Sequence, residues 1–284
     1  MSRMLWLSIG MGLLAGLVAA QSERAPKFLD RAVITRDGSQ VTVVANDSLP
    51  LLQAINAVRL EYGWQIDWES APGYSHFDLA DDTAPKWRLT HPSAKGVTRP
   101  AGGSFTASFP EPNRSGVDEE LLALTRLVEE YNATDNPGRY AVHSGPGGLI
   151  TIVGNELRDE TGAFRRITPL LDTPITLPKA ERSVDETIDS ILAALDSATG
   201  KKVVFAELSH SLLMSSKANI GGEKMKAREL LEQALASTGR PIQYDLCFNA
   251  DIPTYILSTS IAMRTQDDEL GGHKLVPVDH TAKP

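Results

Sequence analysis

A second cysteine is missing: Cys247 stands alone, so no disulfide can form within the chain and its stability must come from burial. Positive charge is also short, with 28 Lys and Arg against 36 Asp and Glu, a formal charge of −8 and a pI near 5.3. That balance removes any general attraction to a phosphate backbone, and no nucleic-acid partner is expected. After the N-terminal region no apolar run approaches the ~20 residues a spanning helix needs, so no stable membrane insertion is expected. Catalytic signatures are missing as well: neither G-x-S-x-G nor H-E-x-x-H occurs.

What is present starts with "MSRMLWLSIGMGLLAGLVAAQ", one early cation at Arg3 and an apolar run from Met4 to Ala20. This is the layout of a secretory signal peptide over residues 1–20, with Val18, Ala19 and Ala20 as the small-residue cleavage site. The alternative is an uncleaved anchor, for which the run is short. No cysteine follows the site to accept a lipid. The expected location is therefore periplasmic or secreted. With 42% hydrophobic and 23% charged residues in 284, the remainder has the composition of a folded protein, long enough for two domains of about 100–150 residues.

The chain reads as two copies of one pattern. Helical spacing of Leu51, Ala54, Ile55 and Val58 ends at Gly63 and leads into "WQIDWE", where Trp64, Ile66 and Trp68 alternate with Gln65, Asp67 and Glu69. This predicts a strand with Trp64 and Trp68 on a core face and the polar residues on the other. At one constant offset stand Ile188, Ile191, Leu192, Leu195 and Gly200, followed by "KKVVF". Asn46, Asp47 and Ser48 offer N-caps to the first helix, and Ser183 with Glu186 fits a capping box for the second. Each half continues with a strand, a second one-sided helix and a hairpin: "SFTASF", the Leu121–Tyr131 stripe and the strands flanking "SGPGG"; then Ala218–Ile220, the Leu230–Leu235 stripe, "IQYDLCF" and "TYILS". The expected fold class is α+β, two tandem β-α-β-β-α-β modules, each a small sheet covered by two helices.

Expected boundaries are a polar leader or edge segment at 21–38 and a first module at 39–155 with an insertion at 71–103. A connector at 156–172 carries a "DETG" turn, a second module follows at 173–260, and 261–284 is a polar tail expected to be disordered. In the second half "SVDETIDSILAALDSATGKKVVF", "GGEKMKARELLEQALASTG", "IQYDL" and "TYILS" resemble the secretin and TonB short N-terminal domain, over about 173–260. The first half resembles it only through the internal repeat. The resemblance implies a domain without an active site that makes protein–protein contacts in the periplasm. No barrel or secretin core follows, which is a departure from that family.

Candidate chemistry is sparse. "GPGG" at Gly145–Gly148 lacks the Lys-Ser/Thr of a phosphate loop and reads as a hairpin turn. His76, Asp78, Asp81 and Asp82 have donor atoms without a metal-site spacing and read as a solvated charge run. His91, His143 and His210 would need a nucleophile and a carboxylate brought to them by folding. Sequons begin at Asn46, Asn113 and Asn132, and none is assigned a function. Cys247 alternates onto the less apolar face of its strand and is expected to be an inert thiol. No catalytic residue, cofactor or metal is expected. The insertion combines aromatic and cationic character at Trp87, Arg88 and His91, the expected partner-binding residues. The preferred expectation is an exported, non-enzymatic module that binds another envelope protein. The alternative is an exported enzyme, a hydrolase for example, with a site in the insertion or between the modules.

Overall fold

Residues 31–112, 117–145, 148–206, 210–267 and 272–278 are described by a computed structural model. The expected signal peptide, the start of the expected leader, Asn113 and the last six residues lie outside them. The first half runs β1 (Val33–Asp37), β2 (Gln40–Asn46), α1 (Pro50–Tyr62), β3 (Ile66–Glu69), β4 (Leu79–Asp81), α2 (Pro85–Thr90), β5 (Thr98–Pro100), β6 (Ser104–Pro110), α3 (Val117–Asn132), β7 (Arg139–Ser144), β8 (Ile150–Arg158) and β9 (Phe164–Arg166). The second runs β10 (Pro174–Ser183), α4 (Val184–Thr199), β11 (Val203–Ala206), α5 (His210–Ser215), β12 (Lys217–Lys226), α6 (Ala227–Ala236), β13 (Ile242–Asn249) and β14 (Thr254–Ile261), followed by β15 (Met263–Asp267) and β16 (His273–Pro277). The fold is α+β.

Both halves use the same pairings. β2 pairs β6 and β10 pairs β12, antiparallel in each case. The closing hairpins β7–β8 and β13–β14 are antiparallel, and β3 and β11 each join the second hairpin strand in parallel. The helix stripes are buried as their spacing requires: Leu51, Ala54, Ile55 and Val58 in α1, and Ile188, Ile191, Leu192 and Leu195 in α4. Gly63 (φ 71°) and Gly200 (φ 66°) take the left-handed conformation that ends each helix, with the N–H donating back to Arg59 and Asp196. The capping box of Ser183 and Glu186 is formed. In α1 the cap position is Leu49 instead, and its N–H donates to Asp47 Oδ1 at 2.9 Å.

The halves share one sheet, in the order β11-β14-β13-β3-β8-β7, with β9 extending the far end of β8. The seam is the parallel pair β13·β3, where Asp245 lies beside Trp68 and Leu246 beside Glu69. Lateral neighbours point to the same face. Ile66 and Trp68 belong to the core under α1 and α3, whereas Tyr244 and Leu246 belong to the core under α4 and α6. The helices of the first half therefore cover one face of the sheet and those of the second half the other.

Two expectations change. β3 is buried on both faces, Asp67 and Glu69 included, because its polar side meets the second half's helix layer. The tail expected to be disordered forms the antiparallel hairpin β15–β16, fastened by Ala262 N–H to Pro241 O at 2.7 Å and Val278 N–H to Ala262 O at 2.9 Å. The leader ends in edge strand β1, and the connector is largely spent on the β8–β9 hairpin closed by "DETG".

Candidate functional site

Two places concentrate charged and aromatic side chains. The first is the seam. Arg228, near the start of α6, donates from Nε to Glu69 Oε1 (2.6 Å) and from Nη2 to Glu69 Oε2 (2.8 Å), while its Nη1 reaches Asp172 Oδ1 (2.8 Å). Tyr244 O–H donates to Glu69 Oε1 at 2.8 Å, and Tyr244 N–H donates to Asp67 Oδ1 at 2.9 Å. Lys226 Nζ adds a 3.0 Å contact to Asp172. On the opposite face Arg59 of α1 donates to Ile66 O and, from Nη2, to Asp245 Oδ1 at 2.8 Å. Each half thus sends one helix arginine to a carboxylate on the other half's strand.

The electrostatics follow from burial. Removal from water holds the Asp67 carboxyl well above its ordinary range, against the opposing pull of the Tyr244 N–H and Arg59. Burial works against the Arg228 guanidinium, but the Glu69 carboxylate more than compensates and its pKa is raised. Burial likewise opposes ionisation of Asp172, yet Lys226 and Arg228 hold its carboxyl below the usual range. Glu232, one turn after Arg228, is pushed up to about 7 by burial. His143 on β7 is lowered by burial and by the nearby Arg228. Buried pairs of this kind gain little net stability against apolar substitutes, but removal of one partner leaves an uncompensated charge. They also fix register, since a one-residue slip of β3 turns Glu69 to the wrong face.

The second place is the insertion, which is ordered over its described length. Trp87 and His91 stack at 3.7 Å between ring centroids on α2, half-buried and exposed respectively, and Leu89 is 83% exposed. Arg88 pairs with Asp81, and Arg99 with Asp82 at 3.1 Å. Of the three expected partner-binding residues, Trp87 and His91 form one surface pair while Arg88 turns to Asp81. The charge run divides. Asp78 is fully buried, not solvated, and accepts from Arg158 Nη1 at 2.6 Å, so it ties the insertion to β8. The His76 ring lies tilted against Phe77, and Asp81 and Asp82 are exposed.

Among the described residues no group of three His, Cys, Asp or Glu is placed to hold a metal ion. Gly145 N–H donates to Leu149 O at 2.7 Å in the β7–β8 hairpin turn, as "GPGG" predicts; Pro146 and Gly147 lie outside the described residues, as does the side chain of His210. A cleft of ≈ 220 Å³ beside the seam, lined by Asn56, Arg59, Gln243, Ser260, Met263 and Leu275, falls below the usual ligand-pocket size of about 300–1,000 Å³. Cys247 packs against the first core and burial raises its thiol to about 12, an unreactive state. No helix among the described residues is long and apolar enough to cross a membrane.

Sequence reasoning missed Arg59, Asp172, Arg228 and Glu232. A signal existed in the cationic residues Arg59 and Arg228 set beside the apolar stripes of α1 and α6, but nothing local marked the strand carboxylates they reach. The chain matches no known protein family, no curated protein and no solved structure.

Proposed function

We propose that this is an exported, non-enzymatic interaction module of the cell envelope that binds another envelope protein. One observation carries the reading. On the helix-free face of the second half, Val204 and Ile256 lie side by side in the sheet and are exposed by 41% and 36%. An adjacent β-branched pair on an open sheet face, next to an edge strand that has a single ladder partner among the described residues, suits a protein surface, whereas the buried Arg59, Asp67, Glu69 and Arg228 are engaged at the seam. The Trp87–His91 pair offers a second, aromatic contact. The resemblance of the second half to the secretin and TonB short N-terminal domain, and the expected signal peptide, support an envelope partner.

The test is in-cell crosslinking of the tagged chain followed by mass spectrometry, run beside Val204→Asp/Ile256→Asp and Trp87→Ala. An envelope protein captured reproducibly and lost in the double variant, with an unchanged circular dichroism spectrum, is the expected result. Capture that survives the double variant, or capture of cytosolic proteins only, overturns the reading.

A further inference from the structure

The seam joins two units that use the same pairings, and among the described residues the sheet ends in copies of the two edges that form it. Following partners across the sheet, Val142 pairs Ile152, which pairs Trp68; in the second half Leu246 pairs Leu257, which pairs Phe205. Val142 on β7 therefore occupies the place of Leu246 on β13, and Phe205 on β11 the place of Trp68 on β3. By the same register Tyr140 stands for Tyr244 and Ala206 for Glu69.

Strand directions agree. β13 and β3 are parallel at the seam, β7 is antiparallel to β3 through β8, and β11 is antiparallel to β13 through β14. Hence β7 and β11, at opposite ends of the sheet, point the same way. A second copy translated along the sheet brings its β11 beside β7 in the parallel sense of the seam. Among the described residues, β7 and β11 each have a single ladder partner.

The local chemistry also corresponds. Ladder pairing at the seam is confined to Asp245 and Leu246, with Ser70 N–H donating to Leu246 O at 2.8 Å. The N–H just before it, on Tyr244, is closed by Asp67 Oδ1 (2.9 Å). On β7 the equivalent N–H, on Tyr140, is closed by Asn132 Oδ1 (3.0 Å), and Tyr140 O accepts from Asn132 Nδ2 (2.8 Å), keeping one lone pair. In both strands the position before the short ladder is already closed, and the ladder positions follow it.

We infer that the chain associates with further copies of itself head to tail, β7 of one copy docking beside β11 of the next, Val142 opposite Ala206 and Ala141 opposite Phe205. The contact is heterologous and does not close, so the product is a linear series with helix layers alternating between faces. It lacks the Glu69–Arg228 clamp, because Ala206 replaces Glu69, and is expected to be weaker than the seam and concentration-dependent. It does not depend on the envelope partner proposed above.

The test uses the purified chain with Cys247→Ser. Ser144 and Ala206, both exposed, lie on one face across the junction. A short bismaleimide is expected to link Ser144→Cys to Ala206→Cys only when the two variants are mixed, and to give a ladder of oligomers when both changes are in one chain. In sedimentation, Ser144→Lys/Ala206→Lys sets like charges across the junction and is expected to weaken association at least about tenfold, while Ser144→Lys/Ala206→Glu restores it. Circular dichroism checks the fold of each variant; should the double-lysine chain not fold, the mixed crosslink and the Lys/Glu pair decide. A monomer up to about 1 mM, crosslinking within either single variant alone, or association without the mixed crosslink overturns the inference.

Discussion

β3 and β11 hold the same place in their halves: each follows the first helix after a left-handed glycine and joins the second strand of the closing hairpin in parallel. They end in opposite environments. β3 is buried at every position, and its alternate residues Asp67 and Glu69 sit under α6, whereas β11 alternates half-buried Val203 and Phe205 with exposed Val204 and Ala206. Position in the sheet, not the local pattern, decides what the second face of a strand meets. A carboxylate on that face is harmless at an edge, and at the centre it must be answered by a counter-charge, as Glu69 is, or be hydrogen-bonded and held toward its neutral form, as Asp67 is.

The sharpest way to break this comparison is to change both strands alike. Glu69→Ala leaves the Arg228 guanidinium without its main partner and is expected to cost about 3–5 kcal/mol in urea unfolding, while Ala206→Glu at the exposed equivalent stays within about 0.5 kcal/mol. Glu69→Leu/Arg228→Leu should recover most of the loss; a double variant no better than Glu69→Ala would mean that the ion pair itself supplies the stability.

The glycines offer a second contrast. A Cβ on Gly200 meets open space, so Gly200→Ala is expected to cost only the conformational penalty, about 1 kcal/mol. On Gly63 it meets Arg264 Cβ at 3.0 Å and Val278 Cγ2 at 3.3 Å, so Gly63→Ala should cost about 1 kcal/mol more and loosen β15–β16, read as faster amide exchange there. Equal costs would detach the tail hairpin from α1.

Helix starts differ as well. Ser183→Ala removes the capping box of α4 and is expected to cost about 1 kcal/mol in thermal unfolding; Ser48→Ala, which does not cap α1, should cost less.

The last effect is on the pH profile. Glu232 has a folded-state pKa of about 7 against an ordinary 4.5, so the native state holds the proton more tightly than the unfolded chain. The stability linked to that proton is full below pH ~4.5 and is lost as pH rises through about 7. Glu232→Gln should flatten the fall over that window. Asp67, also raised, acts in the same direction and preserves part of the slope.

Much of the fold was legible because it depends on local rules. Helix stripes, both terminating glycines, the Ser183–Glu186 box and the hairpin turn after Ser144 each follow from neighbours within a few positions. Less of the candidate site was legible. The partner of Asp67 lies 177 residues away, and no local pattern tells a strand that its polar side will be covered by the other half's helices. Asp78 was read as solvated because its answering charge, Arg158, is on a different hairpin. The tail hairpin was hidden by its polar sequence, and backbone hydrogen bonds through Ala262 to Pro241 fasten it.

The parallel seam also has a consequence in time. During synthesis β3 is made long before β13 and α6, and until they arrive its free edge carries Asp67 and Glu69 on the side that will be covered. Ionised and hydrated, such inward-facing charges discourage pairing with a stray strand from another nascent chain. The carboxylates that Arg228 and Tyr244 later bury thus guard the half-made protein before they serve the finished one, and neutral substitutes at Asp67 and Glu69 would be felt first in the yield of folded chains.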